Sequence, residues 1–322
     1  MTTSISRRPA YAFGRWSPTT WLSGTAVAGA LGAAPYFLAP YATTTLTRVL
    51  IFALLVASLD LLVGLTGLAS LGHAAYFGVG AYAAGWVAAH ATSQAPVQLL
   101  VAAGTGAVVA TATGWVAVRA HGVYFLILTL AIGEIIHQLT QSWQSVTGGS
   151  NGLYGIPATR LGDTALANVA YLHWYVTVVF LLGFIALWCV SGSELGATLR
   201  GVRDNEPRMR ALGYPTGAYK LVAFVIAGGV AGLAGGLLAA QQRLVTPADL
   251  DFATSALALL AVVIGGTGTL WGACVGAALV IVVRDYFGPS LSGHGPLLLG
   301  LVFIAVVYLM PRGVAGLWRR RD

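Results

Sequence analysis

Few residues of this sequence have types and spacings that could do chemistry, and none matches a complete enzyme site. Gly148, Ser150 and Gly152 fit the Gly-x-Ser-x-Gly pattern of a nucleophile elbow, but the strand before it and the helix after it that the mechanism requires are not predicted. Lys220 is the only lysine and follows a tyrosine, so the Gly-Lys-Ser/Thr ending of a phosphate-binding loop is absent. There is no His-Glu-x-x-His motif and no pair of carboxylates at catalytic spacing. The sequence therefore predicts no catalytic residues and no nucleotide site of its own.

A few ionisable residues lie in apolar stretches. Glu134 and His137 are one helical turn apart, and His73 lies among glycines. A buried charge is expensive in lipid, so these residues indicate a translocation pathway or a proton relay. The alternatives are a protonated or hydrogen-bonded Glu134 and a purely structural hydrogen bond for His73. The sequence leaves the depth of Asp60 and Arg284 open.

The elements that position these residues are predicted to be membrane helices. The chain is 57% hydrophobic and only 8% charged, with a mean hydropathy of +0.80, whereas a soluble domain is about 25% charged. Lipid offers the backbone no hydrogen-bond partners, so long charge-free runs indicate helices. The predicted fold class is all-α, a polytopic membrane helical bundle of about ten transmembrane or re-entrant helices in a single domain over residues 1–322. Spans are predicted near residues 21–40, 45–63, 71–90, 97–118, 123–141, 171–190, 219–240, 254–268, 270–287 and 295–311.

The distribution of basic residues predicts the orientation in the membrane. With the amino terminus inside, the cytoplasmic side receives every lysine and arginine except Arg48, Arg160, Arg243 and Arg284. Both termini and a loop at 193–213 are therefore expected in the cytoplasm, and a loop at 142–170 outside. The net charge of +7 then reflects topology and does not indicate a nucleic-acid partner.

Two further features of the sequence are expected to be structural. The apolar stretch after Arg7 and Arg8 continues to Pro40, which is too long for the core of a cleaved export signal and predicts a first membrane span. Cys189 and Cys274 both lie within predicted spans, so neither a disulfide nor a metal site is expected.

Glycine is abundant, with 42 residues, and its spacing carries information. Four-residue spacing places glycines on one helical face, where backbones approach closely in lipid. Such a face serves either ordinary tight packing or sliding between two moving bundles. The predicted helix-packing glycines are Gly228, Gly232, Gly236, Gly268, Gly272 and Gly276.

The cluster from Gly64 to Gly80 contains too many glycines and polar groups for a regular helix. It predicts a broken or re-entrant segment, which survives at membrane depth only inside protein or beside a watery cavity. Together with Glu134 and His137, its members Gly72, His73, Tyr76 and Gly78 are the predicted translocation-pathway residues.

Several stretches of the sequence resemble the permeases of branched-chain amino acid ABC importers. They are LLVGLTGLASLGHAAYFGVGAY at 61–82, GGSNGLYGIP at 148–157, LRGVRDNEPRMRALG at 199–213, and 228–277 with its GGVAGLAGGLLAA and VVIGGTGTLWGACVGA blocks. The resemblance runs from about residue 50 to 316 and is to the longer of the two permease subunits. It implies a transport subunit of the bacterial plasma (inner) membrane with no cofactor of its own.

The resemblance also implies partners. They are a second homologous permease, two ABC ATPases that bind ATP and Mg, and an extracytoplasmic binding protein that docks on loops near 147–168 and 241–252. A short cytoplasmic coupling helix at about 194–212 would contact an ATPase. Its residues are Glu194, Arg200, Arg203, Asp204, Asn205, Glu206 and Arg208.

The expected solute is a branched-chain, hydrophobic amino acid. Leu68 and Asp60 depart from the family's frequent glutamine and asparagine, so a urea or short-amide permease of the same build is the alternative. A stand-alone secondary carrier, which would need an intramembrane ion site, and a membrane-embedded enzyme are the competitors from other classes.

Overall fold

The computed structural model describes residues 18–287 and 313–316, with residues 297, 300, 301, 303–305 and 308 between them. The span predicted near 295–311 therefore lies mostly outside the described residues, as do the basic residues near both ends of the chain. The helices are α1 (Pro18–Phe37), α2 (Pro40–Asp60), α3 (His73–His90), α4 (Ala95–Ala117), α5 (Val123–Ser142), α6 (Gln144–Thr147), α7 (Val169–Gly192), α8 (Glu194–Ala211), α9 (Thr216–Gln242), α10 (Phe252–Gly265) and α11 (Leu270–Val282).

Shorter elements complete the described chain. Leu61–Thr66 and Val283–Phe287 are π-helical turns that extend α2 and α11, and Gly149–Asn151 and Pro247–Leu250 are 3-10 turns. Two short strands, β1 (Arg160–Leu161) and β2 (Thr164–Ala165), pair antiparallel with Arg160 opposite Ala165.

The prediction of a helical membrane bundle is confirmed, and the protein is a multi-pass membrane protein. Among the described residues, five helical stretches are long and apolar enough to cross a membrane: Pro40–Thr66, Ala95–Ala117, Val123–Ser142, Val169–Gly192 and Thr216–Gln242. The predicted number of about ten is not confirmed. α10 has 14 residues and is about 21 Å long at 1.5 Å per residue, short of a hydrocarbon core of about 30 Å.

α2 lies at the centre of the bundle. Every residue from Val49 to Asp60 is buried, and the helix packs against α7, α9, α10 and α11. A helix that is apolar all round is expected in such a central position.

Small residues let α9 approach α3 and α4 closely. A Cβ atom on Gly232 would clash with the carbonyl oxygen of Ala102 and lie 3.0 Å from the Cα of Gly106. Gly80 of α3 likewise lies so close to the backbone of Gly232 that a Cβ atom on Gly80 would clash with it. The first set of predicted packing glycines, Gly228, Gly232 and Gly236, thus lies inside this chain's own bundle.

The second set of predicted packing glycines needs a correction. Gly272 and Gly276 lie on α11 against the backbone of α10, where a Cβ would meet Gly265 and Ala261. The placement of Gly268 on the same helical face is wrong. This glycine lies in the turn between α10 and α11 with a φ of 79°, a left-handed conformation that glycine adopts without strain.

The break between α2 and α3 is shorter than the sequence predicted. Irregular backbone occupies residues 67–72, whereas Gly78 and Gly80 lie within regular α3. Side-chain hydroxyls satisfy the freed amides: Leu71 N donates to Thr129 Oγ1 at 3.3 Å, and Ala74 N donates to Ser255 Oγ at 2.9 Å. These side chains therefore supply the hydrogen bonds that water would otherwise make and that lipid cannot.

α1 is attached to the bundle through a proline. Pro35 has no N–H, so the carbonyl of Leu31 loses its helical donor. The buried His173 of α7 fills this place, with Nε2 at 3.0 Å from that carbonyl and Nδ1 at 2.8 Å from Thr47 Oγ1. Trp174 Nε1 donates to the next carbonyl, that of Gly32, at 2.9 Å.

Candidate functional site

The charged segment predicted as a coupling helix forms α8, which is kinked. Leu199 and Val202 are buried, whereas Glu194, Asp204 and Arg208 are exposed. Asn205 leaves the helical conformation with φ −160° and ψ 87°, and its side chain accepts a hydrogen bond from Arg208 N at 3.0 Å. Asn205 therefore caps a second helical segment.

Glu206, the first residue after the kink, holds this second segment against α9. Its carboxylate lies 2.5 Å from Lys220 Nζ, and the Lys220 side chain is only 2% exposed. Arg210 Nη2 lies 2.7 Å and Thr216 Oγ1 3.1 Å from the other carboxylate oxygen. His121, between α4 and α5, lies 3.4 Å away. We call Glu206, Lys220, Arg210, Thr216 and His121 the Glu206 cluster.

The charge of Glu206 is stabilised by this cluster. Burial is the largest single effect and raises the pKa of the carboxyl group, but the hydrogen bond and the positive charge of Lys220 lower this pKa. Hydrogen bonds from Thr216 and Arg210 act in the same direction, so the pKa of Glu206 lies below its ordinary value. Glu206 is therefore ionised at neutral pH, as the pairing with Lys220 requires.

The first segment of α8 reaches the broken end of α2. Arg203 Nη1 donates to the carbonyl oxygen of Gly64 in the π-helical turn. The amide that would bond this carbonyl in a regular helix, that of Leu68, turns instead toward the Leu62 carbonyl and Thr66 Oγ1, each at 3.3 Å. Arg203 thus satisfies a free carbonyl at a helix C-terminus, where a cation is also favoured by the helix dipole.

The turn between α10 and α11 contacts the same end of α2. Gly268 N donates to the Asp60 carboxylate at 2.7 Å, and Asp60 is 1% exposed. A Cβ on Gly64 would collide with the backbone of Gly268. Asp60, whose depth the sequence left open, therefore lies inside the protein.

An open cleft of about 400 Å³ lies beside these contacts. Its walls come from the end of α2, the connection between α4 and α5, the kink of α8, and Lys220 of α9. The lining residues are Thr66, Gly67, Leu68, His121, Gly122, Val202, Arg203, Asp204, Asn205, Glu206, Pro207 and Lys220.

The other predicted coupling residues lie around this region. Glu194 begins α8 and is exposed, and Asp204 and Arg208 are exposed near the kink. Arg200 is half-buried and donates to the Ser191 carbonyl at 2.8 Å. Burial lowers the pKa of Arg200. The exposed charged residues of α8 are thus Glu194, Arg203, Asp204, Arg208 and Arg210, of which Arg203 and Arg210 are bonded to Gly64 and Glu206.

The predicted pathway residues of α3 are packed inside the protein. His73 is fully buried, and its Nε2 lies 2.9 Å from Ser58 Oγ. Because Ser58 Oγ donates to the Leu55 carbonyl at 2.7 Å, His73 Nε2 is the donor to Ser58. Tyr76, 1% exposed, bonds Thr113 Oγ1 at 2.8 Å. Gly72 lies against the backbone of Thr129, and Gly78 against Leu250.

Glu134 has a different environment, because it is exposed on an outer face of α5, while His137 beside it is only 14% exposed. The Glu134 side chain is 51% exposed and accepts from Gln138 Nε2 at 2.8 Å. His137 Nδ1 lies 3.6 Å from Glu134, and its Nε2 lies 3.0 Å from Gln141 Nε2. We call Glu134, His137, Gln138 and Gln141 the α5 polar face. Such a face is unfavourable against lipid hydrocarbon and requires protein or water.

The loop at 142–170 is folded over the opposite end of the bundle from α8. Leu153 and Val245 exchange backbone hydrogen bonds of 2.8 and 3.0 Å, and Arg160 N donates to Ser93 O at 2.8 Å. The neighbouring segment at 241–252 is held by Asp249, which accepts from Thr246 N, and by Asp251, which caps α10. Exposed polar groups on this surface include Asn151 and Asp163.

Sequence reasoning missed several members of these sites. Lys220 was considered for the absent phosphate-binding loop and as a cytoplasmic charge, although a single lysine at the start of an apolar helix already suggests a buried ion pair. Gln138 and Gln141 follow Glu134 at helical spacing and could have been found from that period. Gly268 was predicted only as a packing glycine, and nothing in the sequence signals its contact with Asp60, since only the folded chain brings the two together. Within the described part of the chain, no group of three His, Cys, Asp or Glu residues is placed to hold a metal ion.

Comparison with known proteins supplies the family. Residues 41–310 match the family described as branched-chain amino acid transport system / permease component. The chain is 28% identical to the high-affinity branched-chain amino acid transport system permease protein LivM of Salmonella typhimurium, over 88% of this chain and 72% of that protein. It is 26% identical to the corresponding permease protein LivH of Escherichia coli, over 82% of this chain and 91% of that protein.

One relative is named for a different solute. The autoinducer 2 import system permease protein LsrC of Klebsiella pneumoniae is 32% identical over 40% of this chain and 39% of its own length. No solved structure matches the chain. Because the family match covers most of the sequence, the chain belongs to the branched-chain amino acid transport system permease family.

Proposed function

We propose that this chain is one of two permease subunits of an ATP-driven importer that moves branched-chain, hydrophobic amino acids across the bacterial plasma membrane. A binding protein outside the cell delivers the solute, and two separate ATPase subunits bind ATP and Mg. The observation that carries this proposal is the family match over residues 41–310. The names of the LivM and LivH relatives support the solute class and the pairing with a second permease.

The geometry of α8 supports a coupling role. A polar helix is fixed to the ends of α2 and α9 by Arg203 and Glu206, while Glu194, Asp204 and Arg208 remain free to meet a soluble surface. Charged groups on such a helix give charge-assisted contacts with a protein partner. The ATPase would therefore dock at α8, and this end of the bundle would then lie in the cytoplasm.

The α5 polar face supports the pairing with a second permease. Glu134 and Gln138 are exposed on the outside of a membrane helix, with the half-buried His137 and Gln141 beside them, so a single copy of the chain in lipid leaves the two exposed groups without suitable surroundings. A second permease packed on α5 would enclose them along a polar passage between the subunits. His73 and Tyr76 are packed inside this chain. They would therefore lie behind the side chains that line the passage and hold α3 in position.

The test is uptake into proteoliposomes that hold this chain, its co-purifying permease and the ATPases. Radiolabelled leucine and urea are offered separately, with and without ATP and the binding protein. Leucine uptake that requires both additions is the expected result. Urea uptake alone would change the solute and keep the architecture. Uptake by this chain without ATP would overturn the proposal and favour a stand-alone carrier.

A further inference from the structure

Arg203 touches two membrane elements at once. Its guanidinium bonds the Gly64 carbonyl at the end of α2, and its side-chain carbons pass beside Gly67, where a Cβ would lie 3.2 Å from Arg203 Cγ. A Cβ on Gly268 would lie 3.6 Å from Arg203 Nη1. The guanidinium is therefore in contact range of both the π-helical turn and the turn between α10 and α11.

Asp60 completes this contact from the membrane side. Its carboxyl group accepts a hydrogen bond from the Gly268 amide at 2.7 Å, and its Oδ1 would lie 3.0 Å from a Cβ on Gly64. The main-chain groups of Gly64 and Gly268 thus lie between an arginine of α8 and a buried carboxylate of α2. We call Asp60, Gly64, Arg203 and Gly268 the Arg203 junction.

The junction adjoins the irregular segment 67–72. This segment is attached to α5 through Thr129 and leads directly into His73 and α3. Few regular hydrogen bonds hold it, and irregular backbone absorbs changes of φ and ψ more readily than the helices on either side. A displacement of Arg203 would therefore move the irregular segment 67–72 first. The movement would then reach α3 and α5, to which this segment is joined.

We propose that Arg203 is a positioning residue that transmits movement of α8 to the break between α2 and α3 through the Arg203 junction. This inference rests on the proposed function, since it requires an ATPase that moves α8. Glu206 keeps the second half of α8 attached to α9. Arg203 instead connects the first half to the end of α2 and to the turn between α10 and α11, whose movement would alter the passage. Loss of the junction would uncouple ATP hydrolysis from transport without preventing assembly.

The test compares R203M with R203K and with R119M in the complete reconstituted complex. Arg119 is an exposed arginine at the end of α4 whose guanidinium lies over Trp115, outside the junction. Methionine keeps much of the side-chain volume but cannot donate to Gly64, whereas lysine keeps one charged donor. We expect R203M to lower the ratio of leucine taken up to ATP hydrolysed at least tenfold, R203K to recover part of that loss, and R119M to keep the wild-type ratio.

Hydrogen exchange supplies a readout that a purely structural role would not change. In the wild-type complex, the amides of residues 67–72 should change their exchange rate when a non-hydrolysable ATP analogue is added. In R203M that change should disappear while the change in α8 remains.

Two outcomes would overturn the inference: a wild-type transport ratio in R203M, or failure of both R203M and R203K to assemble, which would make Arg203 a folding residue. Failure of the proposed function would appear differently, as a wild-type complex without ATP-dependent uptake.

Discussion

Glu206 attaches the second segment of α8 to α9. It is the carboxylate that neutralises Lys220, whose side chain is only 2% exposed. Removing one partner of a buried ion pair leaves the other charge without compensation, at a typical cost of about 3–5 kcal/mol. The Glu206 cluster opens into the cleft, so water reduces this penalty.

We therefore expect Glu206→Gln to destabilise the protein by about 2–3 kcal/mol. Lys220→Met should cost less, because Glu206 keeps Arg210 and access to solvent. Thermal unfolding in detergent measures both, with Glu194→Gln on the exposed start of α8 as the control. Equal midpoints for Glu206→Gln and the control would show that the pair contributes nothing.

The ionisation of Glu206 predicts that the stability of the folded protein depends on pH. The pKa of Glu206 is lowered in the folded protein, so its stabilising contribution is present above the ordinary value of 4.5 and is lost as the pH falls through the folded pKa. The gap in unfolding midpoint between wild type and Glu206→Gln should thus be constant near neutral pH and shrink below about pH 4.5. Midpoints measured from pH 7 to pH 4 test this, and a gap that widens on acidification would contradict the assignment.

At the scale of elements, α1 is attached through the carbonyl that Pro35 leaves free. Without His173 this carbonyl has no donor in a dry environment, and such hydrogen bonds between membrane helices contribute about 1 kcal/mol. His173→Leu should lower the unfolding midpoint and increase proteolysis of α1, whereas the exposed His90→Leu should not. In a Pro35→Ala background the new amide can bond Leu31, so His173→Leu should cost less. A double-mutant cycle without this coupling would disprove the explanation.

The glycines of α9 give a matched pair of variants within one helix. A Cβ on Gly232 would clash with Ala102 and press on Gly106, whereas a Cβ on Gly229 would lie 3.5 Å from its nearest neighbours. We expect Gly232→Ala to cost about 1–3 kcal/mol through overpacking. Gly229→Ala should be neutral or slightly stabilising, since alanine favours helix. Unfolding midpoints of the two variants test this, and similar losses would mean that α9 does not pack as described.

The sequence predicted the elements better than it predicted their contacts. Long apolar runs with few charges located α2, α4, α5, α7 and α9, because lipid forces an apolar composition on a spanning helix. The contacts of Gly268 and Asp60 depend on how α10 and α11 fold back onto α2, and no local pattern records that. The same holds for Arg203, which the resemblance marked as a contact for an outside partner but whose side chain is bonded to α2.

At the scale of the whole molecule, the sequence predicted pathway residues without showing which surface they occupy. His73 and Tyr76 lie inside the bundle, but Glu134 and Gln138 lie on its outside. Buried and exposed polar groups have the same appearance in a sequence because membrane helices are apolar on both kinds of face. The difference matters for mechanism, because an exposed polar face needs a second subunit or water.

The α5 polar face can therefore be tested in the assembled complex by thiol labelling. With Cys189 and Cys274 replaced by alanine, a cysteine at position 134 or 138 should react with a charged, membrane-impermeant reagent. A control cysteine at Leu182, which is 63% exposed near the middle of α7, should face lipid and react at least tenfold more slowly. Thiolates form only where water reaches, so fast labelling requires an aqueous surface. Addition of ATP should change the labelling rate at 134 and 138 if the passage opens and closes there. Equal, slow labelling at all three positions would mean that α5 faces lipid or a dry interface, and the passage would have to be placed elsewhere.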